Sequence, residues 1–213
     1  LVVGDSQAGH LTPLLDMLNK VDGFGIYFYQ SSGTNFPSLI ETRNLDNNGK
    51  TIKQDPIDFS NHYRSTLDHF DYYFPKLKKG DIIILSSRYE LRWGEQRPIP
   101  NQQKDVRFTF YDSNSNVLTQ ENSFTQWKAL FDDLAEKSAK KGVKVIIFNS
   151  IPTFPESITG QSKQWFNSLS KRNVGVGRKR LINHSHKVDE AFNTVAKSHS
   201  NVEVFDIFSE ICP

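Results

Sequence analysis

The segment Gly4-Asp5-Ser6-Gln7-Ala8-Gly9-His10 lies between an apolar run, Leu1 to Val3, and a helix-period stretch carrying Leu11, Leu14, Leu15 and Leu18. A serine at such a corner stands at a helix N-terminus. Its own backbone N–H and the positive end of the helix dipole can stabilise a developing oxyanion. Gly4 permits the tight turn this geometry needs. Two other roles fit the same residues. Ser6 or Asp5 can cap the helix, because both types accept hydrogen bonds from its first free N–H groups. The loop can also receive a phosphate, although Asp5 opposes an anion and neither a lysine nor a glycine-rich run follows.

A serine hydroxyl is a poor nucleophile near neutral pH without a base. His10 follows Ser6 by one helical turn and reads more simply as a surface or capping residue. His62 and His69 fall in the second predicted helix, and His184, His186 and His199 on or near the last. The i, i+2 spacing of His184 and His186 sends their rings apart on a helix. No pair of these histidines has convincing metal-ligand spacing, so neither a metal nor a cofactor is expected. Cys212 is the single cysteine, which excludes an internal disulfide framework and a cysteine-based zinc site. It reads as a free thiol or as half of a disulfide whose partner lies beyond the chain end.

The elements that position these residues alternate. Strand candidates are Leu1 to Val3, Phe24 to Tyr29, Asp81 to Leu85, Val143 to Phe148 and Val202 to Phe205. Helix-period segments lie between them. One carries Phe59, Tyr63, Leu67, Phe70 and Phe74, another Phe124, Trp127, Leu130, Phe131 and Leu134, and the last Leu181, Val188, Phe192 and Val195. Val106 to Tyr111 and Val117 to Gln120 flank a turn-rich pentapeptide and predict a small hairpin. Asn44 to Lys50 reads as a surface loop. Strand–helix alternation predicts an α/β fold with a parallel sheet of about five strands and right-handed crossovers. Ligands in such sheets bind beyond the carboxyl ends of the strands. Trp93 and Trp165 fall in loops at that edge. Each is a candidate face for a sugar ring, or a residue that packs a long loop onto the sheet.

The chain has 213 residues, with 26 Lys+Arg against 24 Asp+Glu and a formal charge of +2. The length suits one domain spanning 1–213. The small charge excess forms no basic stripe and gives no case for nucleic acid. No apolar run approaches the roughly 20 residues that a membrane-spanning helix needs. A strand that starts at residue 1, with no Met and no signal peptide, suggests a piece of a longer protein.

Val2-Val3-Gly4-Asp5-Ser6 after a first strand resembles the Gly-Asp-Ser block of the SGNH (GDSL-type) hydrolase superfamily. The closest likeness is to the SGNH domains fused to membrane-bound acyltransferase-3 domains, which modify cell-surface polysaccharides. In that branch the block continues much like Gly4 to Leu11. The third strand ends much like Leu85-Ser86-Ser87-Arg88-Tyr89, and the fourth leads into a loop like Asn149-Ser150-Ile151-Pro152. The last leads to an element like Ile211-Cys212-Pro213. The resemblance implies a flavodoxin-like three-layer α/β/α arrangement, the SGNH hydrolase fold.

It also implies roles. Ser6 is the nucleophile and its N–H part of the oxyanion hole, while Gly4 and Asp5 brace the turn. Gly33 stands for the glycine after the second strand, or is an ordinary turn glycine. Arg88 stands where the wider superfamily has an oxyanion-binding Asn. Its guanidinium can donate to an oxyanion, bind an anionic sugar or form a salt bridge at the rim. The family's Asp-x-x-His, which supplies the base, does not occur in these residues and is expected downstream of Pro213.

The resemblance therefore implies a serine esterase or O-acyltransferase handling acetyl-like groups on cell-surface carbohydrate. An acyl donor and a carbohydrate acceptor are its expected partners. An acyltransferase-3 membrane domain is expected in the same polypeptide, placing this domain on the extracytoplasmic side. The alternatives are a non-catalytic carbohydrate-binding or scaffold domain of the same fold, and a flavodoxin-like phosphate-binding module.

Overall fold

The computed structural model describes residues 1–31, 33–47, 50–53, 56–93, 106–149 and 178–211. The strands are β1 (Val2–Gly4), β2 (Phe28–Gln30), β3 (Ile40–Asn47), β4 (Lys50–Lys53), β5 (Ile82–Ser86), β6 (Val106–Tyr111), β7 (Lys144–Phe148) and β8 (Val202–Phe205). The helices are α1 (Ser6–Gly9), α2 (Thr12–Asp22), α3 (Pro56–Tyr73), α4 (Glu90–Trp93), α5 (Gln120–Lys141), α6 (Arg178–Ser198) and α7 (Ile207–Ile211). β2-β1-β5-β7-β8 form a five-stranded sheet in which every pairing is parallel.

Alternate residues of each strand face opposite sides of the sheet. Val3, Ile83, Leu85, Val145 and Ile147 point to one side. There they pack with Phe70, Trp127, Phe131, Val188, Phe192 and Val195 from α3, α5 and α6. Val2 points to the other side and packs with Ala8 and Leu15 from α1 and α2. Helices therefore cover both faces, giving the three-layer α/β/α arrangement. The helix ends follow local chemistry. Thr119 caps α5 by accepting from the Asn122 N–H at 3.2 Å. Gly23 and Gly142 close α2 and α5 at φ +69 and +67, in left-handed conformations that glycine adopts without a Cβ penalty.

Three expectations change. Asn44 to Lys50 is not simply a loop, because β3 runs to Asn47 and β4 begins at Lys50 in a second sheet of order β4-β3-β6. Its polar sequence hides strands whose stability comes from antiparallel main-chain pairing, such as Asn44 with Lys53 and Asp46 with Thr51. The expected hairpin after β6 shrinks to one bridge, Tyr111 with Val117. The turn itself is present, with the Asp112 carboxylate accepting from the Asn114 and Asn116 N–H groups at 2.9 and 2.8 Å. α5 starts too soon afterwards for a second strand. Finally, β2 covers Phe28–Gln30 rather than Phe24 to Tyr29.

Candidate active site

Gly4 ends β1, in register with Gln30 of β2 and Ser86 of β5. Three neighbouring strands thus finish at one edge. The chain just beyond β2 is tied to that point, since the Ser31 N–H donates to the Gly4 carbonyl at 2.9 Å. A Cβ on Gly4 would lie 1.8 Å from the Ser86 carbonyl oxygen and 3.0 Å from the Ala8 Cβ. Glycine is therefore required here by close approach of two backbones.

Asp5 follows, 2% exposed. It is the cap of α1, with Oδ1 accepting from the Gln7 N–H at 2.8 Å. Its Oδ2 accepts from the Arg88 N–H at 2.9 Å, and its own N–H donates to Ser87 Oγ at 3.2 Å. One carboxylate thereby joins the turn after β1 to the turn after β5, and charge-assisted bonds of this kind offset the cost of burying it. Ser6 is the first residue of α1 and is exposed. The capping role open to either residue falls to Asp5, which leaves the Ser6 hydroxyl facing solvent at the carboxyl edge of the sheet. The buried Asp5 charge beside this corner also disfavours a bound phosphate.

Gly33 lies half-buried in the turn after β2 at φ +77. The Thr34 N–H closes that turn on the Ser31 carbonyl at 3.2 Å. Arg88 follows β5. Its main chain is held by Asp5, and its side chain is 30% exposed with Nε 3.5 Å from Glu90 Oε1. Tyr89 is fully buried and donates its hydroxyl to the Phe36 carbonyl. Burial pushes its phenol pKa far above the ordinary value, so it acts as a permanent donor.

Of the two roles open to Trp93, the structure favours packing over a face for a sugar ring. Trp93 is 2% exposed, stacked on Phe110 at 4.3 Å and beside Trp127 at 5.4 Å. Its ring faces are covered by aromatic side chains and offer nothing to a sugar. Packed against Phe110 of β6 and against Phe124 and Trp127 of α5, the indole gains more from burial than from exposure. Trp165 and Cys212 lie outside the described residues. His10 is exposed at the end of α1. His69 stacks on Tyr29 at 4.0 Å, His184 is 5% exposed, His186 lies 3.6 Å from Glu190, and His199 lies 3.2 Å from Asp132. None of these last four is on the loops that converge at Ser6.

The sequence reading missed Asn35, Glu41 and Arg92, which form a buried polar cluster behind the Gly33 turn. Charged residues in stretches without periodicity read as solvated surface. The one available signal was their opposite charge, and spacing alone did not bring them together.

Further along the edge, Asn149 after β7 donates from Nδ2 to Asp206 Oδ1 at 2.8 Å. The Ile207 N–H donates to Asn149 Oδ1 at 3.0 Å. Burial raises the Asp206 pKa. Hydrogen bonds from the Ser209 hydroxyl, the Asn149 amide and the Ser209 and Phe208 N–H groups outweigh it and hold the carboxyl below its ordinary range. A carboxylate of lowered pKa stabilises the fold above its unfolded pKa, and that contribution disappears as pH falls through the folded value. Asp206→Asn should therefore melt below the parent at neutral pH, with the gap closing in acid beneath the carboxylate range. Thermal melts across pH check this, and a gap that ignores pH would remove ionisation of Asp206 as its source.

An apolar groove of about 340 Å³, lined by Leu1, Leu15, Phe24, Ile82, Ile84 and Ile146 among others, opens at the opposite, amino-terminal end of the strands. It is no part of the Ser6 corner. Among the described residues no helix is long and apolar enough to cross a membrane.

Neither a curated protein nor a solved structure matches the chain significantly. A family model does, over residues 1–213, described as SGNH domain (fused to AT3 domains). That family has a hydrolase and esterase fold with acyl-esterase or acyltransferase-type chemistry, and its description links it to an acyltransferase-3 partner. With a Gly-Asp-Ser corner at the carboxyl edge of a five-stranded parallel sheet and a match along its whole length, this chain belongs to the SGNH domain family found fused to AT3 domains.

Proposed function

We propose that Ser6 is the nucleophile of a serine esterase or O-acyltransferase acting on acetyl-like esters of cell-surface carbohydrate. The observation that carries this is the division of labour at the corner. Asp5 supplies the cap and the brace, and Ser6 is exposed with no capping task. In this reading Ser6 Oγ attacks the acyl carbonyl carbon and its proton passes to an imidazole. The Ser6 and Gly33 N–H groups, with the Arg88 guanidinium, stabilise the oxyanion. Collapse of the tetrahedral adduct expels the alcohol, which takes the proton back. A sugar hydroxyl or water then accepts the acyl group by the reverse sequence. The base is the Asp-x-x-His histidine of the family pattern, and the domain works on the extracytoplasmic side beside its membrane acyltransferase partner.

The test is to mix the full-length protein with a chromogenic acetyl ester and read intact and peptide masses. A single acetyl adduct on the peptide carrying Ser6 is expected, and added polysaccharide acceptor should speed its loss if transfer prevails over hydrolysis. Absence of an adduct, with sugar binding retained, would favour a scaffold of the same fold.

A further inference from the structure

Arg92, at the end of α4, is buried with Glu41 of β3, their side chains 3% and 4% exposed. Nε donates to Glu41 Oε2 at 2.7 Å, and Nη2 donates to Glu41 Oε1. The rest of the fork points at the turn after β2. Nη2 also donates to the Gly33 carbonyl at 2.6 Å, and Nη1 donates to Asn35 Oδ1 at 3.0 Å. The Phe108 ring lies 4.5 Å from the guanidinium carbon and closes one side. Asn35, 1% exposed, reaches towards the Arg88 carbonyl at 3.5 Å. The cluster therefore touches both turns that flank Ser6.

Stability does not account for this arrangement. A buried ion pair gains little over an apolar pair of the same volume, because desolvation cancels most of the attraction. An apolar pair cannot, however, hold a carbonyl and an amide oxygen at fixed distances. A planar guanidinium with its donors in a rigid fork can. A glycine at positive φ between strand and core has the freest main chain in this loop, and its carbonyl is the atom Arg92 grips.

The geometry points to Arg92 as a positioning residue. It fixes the Gly33 turn from behind, with Glu41 holding the guanidinium in place, and so sets where the Gly33 N–H, the second oxyanion donor of the Ser6 reading, lies. This rests on the Ser6 reading above and adds to it the residue that holds the second oxyanion donor. Because the group never meets substrate, its loss should act on kcat rather than on KM.

The diagnostic variant in the full-length protein is Arg92→Met with Glu41→Leu, which removes both buried charges together. We expect kcat for an acetyl ester to fall roughly tenfold to a hundredfold, as for a misplaced donor, with KM changed less than about threefold. Hydrogen exchange at the Thr34 amide should speed up. Arg92→Lys keeps the charge but cannot grip Glu41, Gly33 and Asn35 together, so it should show the same kcat loss and faster exchange. Should the double variant fail to fold, Arg92→Lys alone decides. Parental kcat and parental Thr34 exchange in either folded variant would overturn the proposal. If the parent itself neither turns over nor forms an adduct, the Ser6 reading fails, and Thr34 exchange still tells whether Arg92 holds the turn.

Discussion

Ser6→Ala should abolish acyl-ester turnover, with a loss of about 10⁴-fold or more, as when a nucleophile that acts as part of a unit is removed. The same substitution should leave stability within about 0.5 kcal/mol, because an exposed side chain outside any network contributes little. Asp5 keeps the cap and the bond from Arg88 whatever stands at the next position. The pairing of a full loss of chemistry with an unchanged melting curve is what separates a nucleophile from a structural serine. Steady-state kinetics and a thermal melt on one preparation supply both readings. Retained turnover would reject Ser6, and a large drop in melting temperature would mean that its role is structural.

Gly4→Ala is expected to be the most damaging change to the fold. The added Cβ would lie 1.8 Å from the Ser86 carbonyl oxygen, a backbone atom with no rotamer to move into. β1 and β5 are neighbours in the sheet's interior, so parting them disturbs the pairing on both sides. A cost of about 3 kcal/mol or more follows for overpacking against backbone, a large share of a typical total of about 5–15 kcal/mol. Urea unfolding checks it, with Gly23→Ala as the control. Gly23 has φ +69 and nothing within 4 Å of an added Cβ, so only left-handed strain, about 1 kcal/mol, applies there. Equal midpoints for the two variants would show that β1 and β5 can part without penalty.

The parallel sheet was legible because its strands are short apolar runs covered on both faces, like Ile82 to Leu85 and Val145 to Phe148, and because the helices between them keep a 3.6-residue period. The Ser6 corner was legible because Gly-Asp-Ser is a local pattern whose chemistry depends on neighbours in sequence. What lay hidden depends on distant partners. β3 carries Glu, Thr, Arg, Asn and Asp, and only its pairing with β4 and β6 makes it a strand. Trp93 sits in a loop by sequence, and its burial is decided by Phe110 and Trp127, far along the chain. Arg92 and Glu41 are separated by 51 positions, and no spacing rule links them. Leu14 shares the helical spacing of Leu11, Leu15 and Leu18, yet it is 42% exposed while Leu15 is buried.

The small sheet draws its strands from two separate excursions. β3 and β4 belong to the connection between β2 and β5, and β6 to the connection between β5 and β7. Each excursion supplies the hydrogen-bonding partner of the other, and a strand deprived of its partner exposes a sticky edge. Any chimaera that grafts one of these connections from a relative must therefore graft both. Inherited variation in these two stretches is expected to travel as a matched set.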